Sequence, residues 1–332
     1  MRALKFLPVV ALFLGFQTTA QPVKMRIGYF PPATTILHQH VFVPLAEGLN
    51  KESGGRIEAT LHPGGELGAD PTQQLQLLQD GKVDIVFMVP SYQPRDFPDH
   101  EVLELAIDVG STRAASLLHQ RLYERGLLRG YEKVHVIGAA SGTASHLHTK
   151  FPIESLDSLQ GRTIRTEGSI EQEFVSALGA NPAKGTNITE TAERLRSGAV
   201  EGALVAWGPA HVFKVFDATS HHLDLSLSRI GTVVAMNKGK YESLPADLKQ
   251  VVDRFSGEWF VLRYAESQDL ADQRALAVLR GLEGHKIVEL NAEQRAQMLK
   301  KVEPVVDRWA KKHPNGETIV AAIREESRKL QK

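Results

Sequence analysis

The chain has 332 residues, 42% of them hydrophobic, and its 39 lysines and arginines balance 39 aspartates and glutamates. That balance leaves no electrostatic footprint for nucleic acid or an anionic membrane. The absence of cysteine excludes disulfides, thiolate metal sites and a cysteine nucleophile.

The first twenty residues read as an export leader. Arg2 and Lys5 form a positive start, Phe6 to Phe16 an apolar stretch too short to span a bilayer, and Thr18-Thr19-Ala20 a small-residue cleavage site. Cleavage is expected after Ala20, with no cysteine following it to carry a lipid anchor, so the mature chain is expected free and soluble outside the cytoplasm. Its length suggests two domains with cores large enough to need no cross-links.

Beyond the leader, short β-branched segments alternate with helical stretches, which predicts an α/β fold with mostly parallel strands. Strands are expected at 25–30, 56–62, 83–88, 134–139, 146–149, 162–166, 199–205, 232–237 and 286–290. Between the second and third lies a marked helix, with Asp70 as cap, Pro71 in its first position and Gly81 at its end. One pattern occurs twice. Leu78-Gln79-Asp80-Gly81-Lys82-Val83-Asp84 and Leu195-Arg196-Ser197-Gly198-Ala199-Val200-Glu201 both read L-x-x-G-x-V-acid, as two similar lobes would require. From Pro245 to Gly281 apolar residues recur at helical spacing with Gly257 the one breaker, predicting a helix long enough to run along two lobes. Trp259 and Tyr264 within it read as packing residues.

Arg165 is the main candidate for ligand binding. It closes a short strand, and Ser169 with Gln172 reads as a capping box opening the next helix, which ends before Gly179. Open α/β sheets bind ligands at the carboxyl ends of their strands, helix N-termini favour anions, and a guanidinium can grip a carboxylate through two parallel hydrogen bonds. The alternative is an arginine spent on an ion pair with Glu167 or Glu171. Loops after the strands of both halves supply further candidates: Tyr29 with Phe30, Ser91 and Tyr92 after Val89-Pro90, His146, and Trp207 within Ala206-Trp207-Gly208-Pro209 as an aromatic wall. His146 and His148 share a strand face, but nothing resembling H-E-x-x-H accompanies them, so no metal or other cofactor is expected. Nor is there a nucleophile elbow, a phosphate loop or a dinucleotide fingerprint.

In their order along the chain these segments resemble the substrate-binding proteins of TRAP transporters, the DctP family. The resemblance runs from Gly55-Arg56-Ile57 and Gly64-Gly65-Glu66-Leu67-Gly68 through Leu78–Asp84, then Pro152-Ile153, Leu159-Gln160-Gly161 and Ile164-Arg165. It continues through Gly179-Ala180-Asn181-Pro182, Glu190, Leu195 and Gly198 to Met236-Asn237-Lys238 and Leu244-Pro245-Ala246-Asp247. It implies a two-lobed periplasmic-binding-protein fold with a long helix spanning both lobes. Lobe I is expected over 21–142 and 230–270, and lobe II over 143–229 and 271–332. It implies a monomeric, non-enzymatic receptor that holds a small organic acid in the interlobe cleft, with Arg165 on its carboxylate, and delivers it to membrane permease subunits. Many members carry a second arginine near the position of Ala144 or Ser145, which this chain lacks; a monocarboxylate is therefore expected over a dicarboxylate. The competing functions are a sensory subunit for a receptor kinase and, with no nucleophile–base pair in view, an exported hydrolase.

Overall fold

The computed structural model describes residues 21–183, 185 and 187–330; the leader and its cleavage site lie outside the described residues. The strands are β1 (Val23–Gly28), β2 (Ile57–His62), β3 (Ile85–Met88), β4 (His135–Ala144), β5 (His146–Thr149), β6 (Thr163–Arg165), β7 (Asn181–Ala183), β8 (Gly202–Val205), β9 (His221–Asp224), β10 (Arg229–Met236) and β11 (Lys286–Glu289). The α-helices are α1 (Val43–Glu52), α2 (Gln74–Gln79), α3 (Thr112–Glu124), α4 (Ser169–Ala177), α5 (Thr191–Arg196), α6 (Trp207–Val212), α7 (Lys238–Glu242), α8 (Ala246–Arg254), α9 (Glu258–Arg280), α10 (Ala292–Lys312) and α11 (Gly316–Leu330).

Two sheets organise the chain. One runs β2-β1-β3-β10-β4 and the other β11-β9-β5-β8-β6-β7. The strands are mostly parallel, as expected, with one reversed strand in each sheet: β10 is antiparallel to both β3 and β4, and β5 to both β8 and β9. These strands lie next to the two extended passages between the sheets. A chain that leaves one sheet end-on enters the next against the direction set by local βαβ units.

Both faces of the first sheet are covered, as the two-residue side-chain period shows. Ile85 and Phe87 of β3, with Ile137 of β4 and Val234 of β10, enter one apolar core. Val86 and Met88, with Val136 and Val233, enter the other. The chain crosses between sheets three times, once through α9 on the way from β10 to β11 and twice as extended crossings, at Ser145 and at Leu225–Ser228. The extended crossings lie side by side, with Ser145 N donating to Ser228 O (2.8 Å) and Leu227 N to Ser145 O (3.3 Å).

The repeated sequence pattern is a repeated structure. Asp70 and Asn187 each cap a 3₁₀ turn, accepting from Thr72 N and Thr189 N, and α2 and α5 follow. Gly81 and Gly198, at φ +66° and +79°, stop those helices in the left-handed region where a side chain is strained. The acid that ends each pattern then ties the incoming strand to its parallel neighbour. Asp84 accepts from Arg26 N (2.8 Å) and Arg26 Nε (3.0 Å), while Glu201 accepts from Thr163 N (3.0 Å) and Arg162 Nη1 (2.7 Å). The acidic residue of the pattern is structural in both halves.

The helix expected from Pro245 to Gly281 is two helices. Gly257, at φ +60° and ψ −127°, breaks it and donates its N–H to Ile137 O (2.7 Å). The 23 residues of α9 still reach about 35 Å, and they pack on α3 and β4 of one sheet and on α6 beside the other. At the C-terminus α11 packs on α3 and α10 on α4, a second bridge between the halves. The sequence reading passed over two strands, β7 and β9. Asn181-Pro182-Ala183 and His221-His222-Leu223-Asp224 carry little β-branched character and form through pairing with β6 and β5.

Candidate functional site

Strands β1, β3, β6 and β8 point their carboxyl ends at one cavity of about 450 Å³, a size typical of small-molecule sites. The chain after β1 supplies Phe30 to Leu37, the end of β3 supplies Phe87 and Val89, and the end of β8 leads through Ala206 into α6. Thr143 and Ser145 enter from the first crossing, Ile230 and Thr232 from β10, and Tyr264 and Gln268 from α9. The walls are aromatic. Phe30 lies 5.4 Å from Phe87 and 6.2 Å from Phe213, and Phe87 lies 6.4 Å from Tyr264, measured between ring centroids. Tyr264, read from sequence as packing, is buried and also lines this space; Trp259 packs edge-on against Phe255 and under Arg263.

Arg165 lies beneath the cavity. Its guanidinium is fully buried and pairs with Glu167, whose side chain lines the space. Nη1 donates to Leu204 O (3.4 Å) and Nη2 to Tyr92 Oη (3.5 Å), while Nε has no hydrogen-bond partner. Burial works against the charge, but Glu167, Tyr92 and Glu171 together more than offset it and hold the arginine above its ordinary pKa. Arg162, three residues earlier, faces out over the Phe151 ring at 4.4 Å.

The expected capping box at Ser169 does not form. Gly168 is the N-cap residue, and Ser169 Oγ donates instead to Glu101 Oε2 (2.7 Å) in the segment before α3. This contact belongs to a buried acidic group around Arg165. Glu171 accepts from Glu167 N (2.8 Å) and Ser228 Oγ (2.5 Å), and Glu104 accepts from Ser91 Oγ. Burial first, then Glu101 and Glu171, pushes the Glu104 carboxyl well above the usual range, and its Oε2 has no hydrogen-bond partner. Burial also raises Glu171. The sequence named Glu167 and Glu171 as ion-pair partners for Arg165; Glu101 and Glu104 come from a segment with no periodic signal.

The remaining candidates lie around the cavity rather than on its lining. Ser91 is held on Glu104, and the Tyr92 hydroxyl bridges Glu167 and Ile188 N (3.1 Å). Burial and then Glu167 raise the Tyr92 pKa well above its usual value. Tyr29 stacks on Phe42 at 4.0 Å, with its hydroxyl 2.5 Å from His38 Nδ1. Trp207 is buried, stacked on His146 at 4.5 Å and edge-on to His148 at 5.1 Å. His146 Nδ1 lies 3.0 Å from Asp224, whose carboxyl it helps hold down to about 2. His148, His222 and His285 continue as a row of imidazoles joined at 2.9 and 3.0 Å. No group of three or more His, Asp or Glu side chains among the described residues is arranged to hold a metal.

Two α/β lobes, crossing strands, a long shared helix and a cavity at the strand ends define an extracytoplasmic solute-binding protein of the periplasmic-binding type. More specifically, residues 27–312 match Bacterial extracellular solute-binding protein, family 7 (DctP), and the chain belongs to that family. It is 25% identical over 329 residues to the C4-dicarboxylate-binding periplasmic protein DctP of Rhodobacter capsulatus, covering 94% of this chain and 93% of that one. Among solved structures it resembles a marine metagenome TRAP solute-binding protein specific for aromatic acid ligands, in complex with 3-hydroxybenzoate. The TM-score is 0.87 and the identity 26%, over 94% of this chain and 100% of that one. A TRAP solute-binding protein of Rhodoferax ferrireducens with copurified benzoate gives a TM-score of 0.84 and 25% identity, over 93% and 98% of the two chains.

Proposed function

We propose that this protein is the periplasmic receptor of a TRAP-type transporter, that its ligand is an aromatic monocarboxylate, and that it hands this acid unchanged to membrane permease subunits. The observation that carries the reading is one cavity with aromatic walls from Phe30, Phe87, Phe213 and Tyr264 and a buried arginine under its floor. An apolar ring would fill the walls, and its carboxylate would be drawn to Arg165. Ala144 and Ser145 supply no second cation at the crossing, and the further cations on the lining, Lys214 and Arg274, are exposed residues. With only Arg165 buried at the strand ends among the described residues, the reading is one carboxylate. The benzoate and 3-hydroxybenzoate ligands of the two structural relatives support the same chemical class. The receptor acts as a monomer, exported by cleavage after Ala20.

Mass spectrometry of ligand carried by the purified protein, then calorimetry with benzoate, 3-hydroxybenzoate and succinate, tests the proposal. Aromatic acids should bind tightly and be recovered intact, with succinate at least about tenfold weaker, a gap of about 1.4 kcal/mol. Succinate binding more tightly than either aromatic acid, or turnover of the bound acid, would overturn it.

A further inference from the structure

Glu167 stands between the cavity and Arg165. Its side chain lines the space, whereas the arginine has no exposed surface and does not line it. A carboxylate arriving from the cavity therefore meets the guanidinium where the Glu167 carboxylate already sits. The existing pair is incomplete. Its close contact is through Nη2, the other partners of the guanidinium are a carbonyl and a phenol at 3.4 and 3.5 Å, and Nε is buried without a partner. A carboxylate facing the Nε–Nη2 edge would satisfy both nitrogens at once, the two-point geometry for which guanidinium is best suited.

Both carboxylates cannot share this place cheaply. Glu171 and Glu104 are fully buried nearby, Glu171 close enough to feel both Arg165 and Glu167, and Glu104 close enough to feel Glu101, Glu171 and Glu167. A further negative charge in that group would be repelled at low dielectric. Among the described residues the Glu167 side chain, by contrast, is held only by Arg165 and by the Tyr92 hydroxyl. Its backbone N–H is anchored on Glu171, so the side chain can swing while the chain stays in place.

We infer that Glu167 is a built-in surrogate for the ligand carboxylate, which the ligand must displace from Arg165, and that this exchange sets the receptor's affinity and its selection for carboxylates. The inference rests on the reading of Arg165 as the ligand's anchor. Displacement lowers apparent affinity by the fraction of molecules in which Arg165 is free. Removing the surrogate should then tighten binding, the reverse of what loss of an ordinary ligand contact does.

The test uses the mature chain and two probes, acetate and benzoate. Glu167→Ala leaves a buried guanidinium without its anion, so its melting temperature in chloride should fall. Acetate, but not equal chloride, should restore it with a saturating dependence, while wild type responds little. The double variant Arg165→Met with Glu167→Ala should show no acetate response. Calorimetry with benzoate should find Glu167→Gln, which loses the charge and keeps the shape, at least about tenfold tighter than wild type. Arg165→Met should lose benzoate. Absence of acetate-specific stabilisation together with Glu167→Gln binding no better than wild type would overturn the surrogate role. If Arg165→Met still loses benzoate in that case, the anchor reading survives alone. If Arg165→Met keeps native benzoate affinity, the anchor reading fails and the surrogate role falls with it. Should Glu167→Ala not fold, the Glu167→Gln comparison decides the question.

Discussion

Replacing Arg165 by alanine should change two quantities at once, and their sizes follow from its surroundings. The side chain is fully buried and paired with a carboxylate that is itself only 9% exposed. Removing one member of a buried pair strands the other and typically costs about 3–5 kcal/mol. In a chain of this length each kcal/mol lowers the melting temperature by roughly 2–4 °C, so a fall on the order of 10 °C is expected. Loss of the ligand's partner costs binding about 2–5 kcal/mol, or roughly 30-fold to several thousand-fold in affinity. Arg165→Lys should recover part of the stability and little of the binding, because an ammonium keeps the charge but loses the planar fork. Arg162→Ala is the control. Its guanidinium is 43% exposed and pairs with Glu201 at the surface, where such pairs contribute about 0–1 kcal/mol, so affinity should stay native. Differential scanning calorimetry and benzoate titration well below the melting range separate the two effects. A folded Arg165→Ala protein with near-native affinity, or an equal loss in Arg162→Ala, would refute the reasoning.

Two further outcomes are expected. The Glu104 carboxyl is raised by burial, so folding favours its protonated form, and its contribution to stability is full below the ordinary carboxylate range and is lost as pH rises through the raised folded value. Glu104→Gln should flatten that loss, its melting temperature gaining on wild type between about pH 4 and pH 8; a constant difference across that range would contradict the assignment. Gly257→Ala should cost about 1–3 kcal/mol, because its conformation at φ +60° and ψ −127° admits glycine and little else, although the site has room for a methyl group. Thermal denaturation indistinguishable from wild type would show that the break between α8 and α9 does not depend on glycine.

Local rules carried much of the fold. The Asp70 cap and the Gly81 stop are set by groups within a few residues, and the recurrence of the pattern at Leu195–Glu201 disclosed the second lobe's matching unit. Tertiary partners decided the rest. Ser169 has the right neighbour for a capping box, yet its hydroxyl turns to Glu101, 68 residues away in sequence. His221–Asp224 becomes a strand because β5 and β11 lie on either side of it. At the site, sequence located the loops through Phe30, Val89 and Ala206, all of which reach the cavity. Which side chain of each loop faces inward depends on turn geometry. Ser91 and Tyr92 turn to Glu104 and Glu167, and Trp207 turns to His146. The acidic surroundings of Arg165 join segments about 60 residues apart, which no local pattern could pair.

The two extended passages between the sheets are hydrogen-bonded to each other through Ser145, Leu227 and Ser228. A single tether would let one lobe swivel and tilt freely about it. Two tethers laced side by side act like paired pins on one door, since torsion in either must be matched by the other. With α9 and the α10–α11 bridge also joining the halves, free swivel about this pair is resisted at several places. Thr143 and Ser145 belong both to this crossing and to the cavity lining, so part of the ligand cavity's wall is the join between the halves itself.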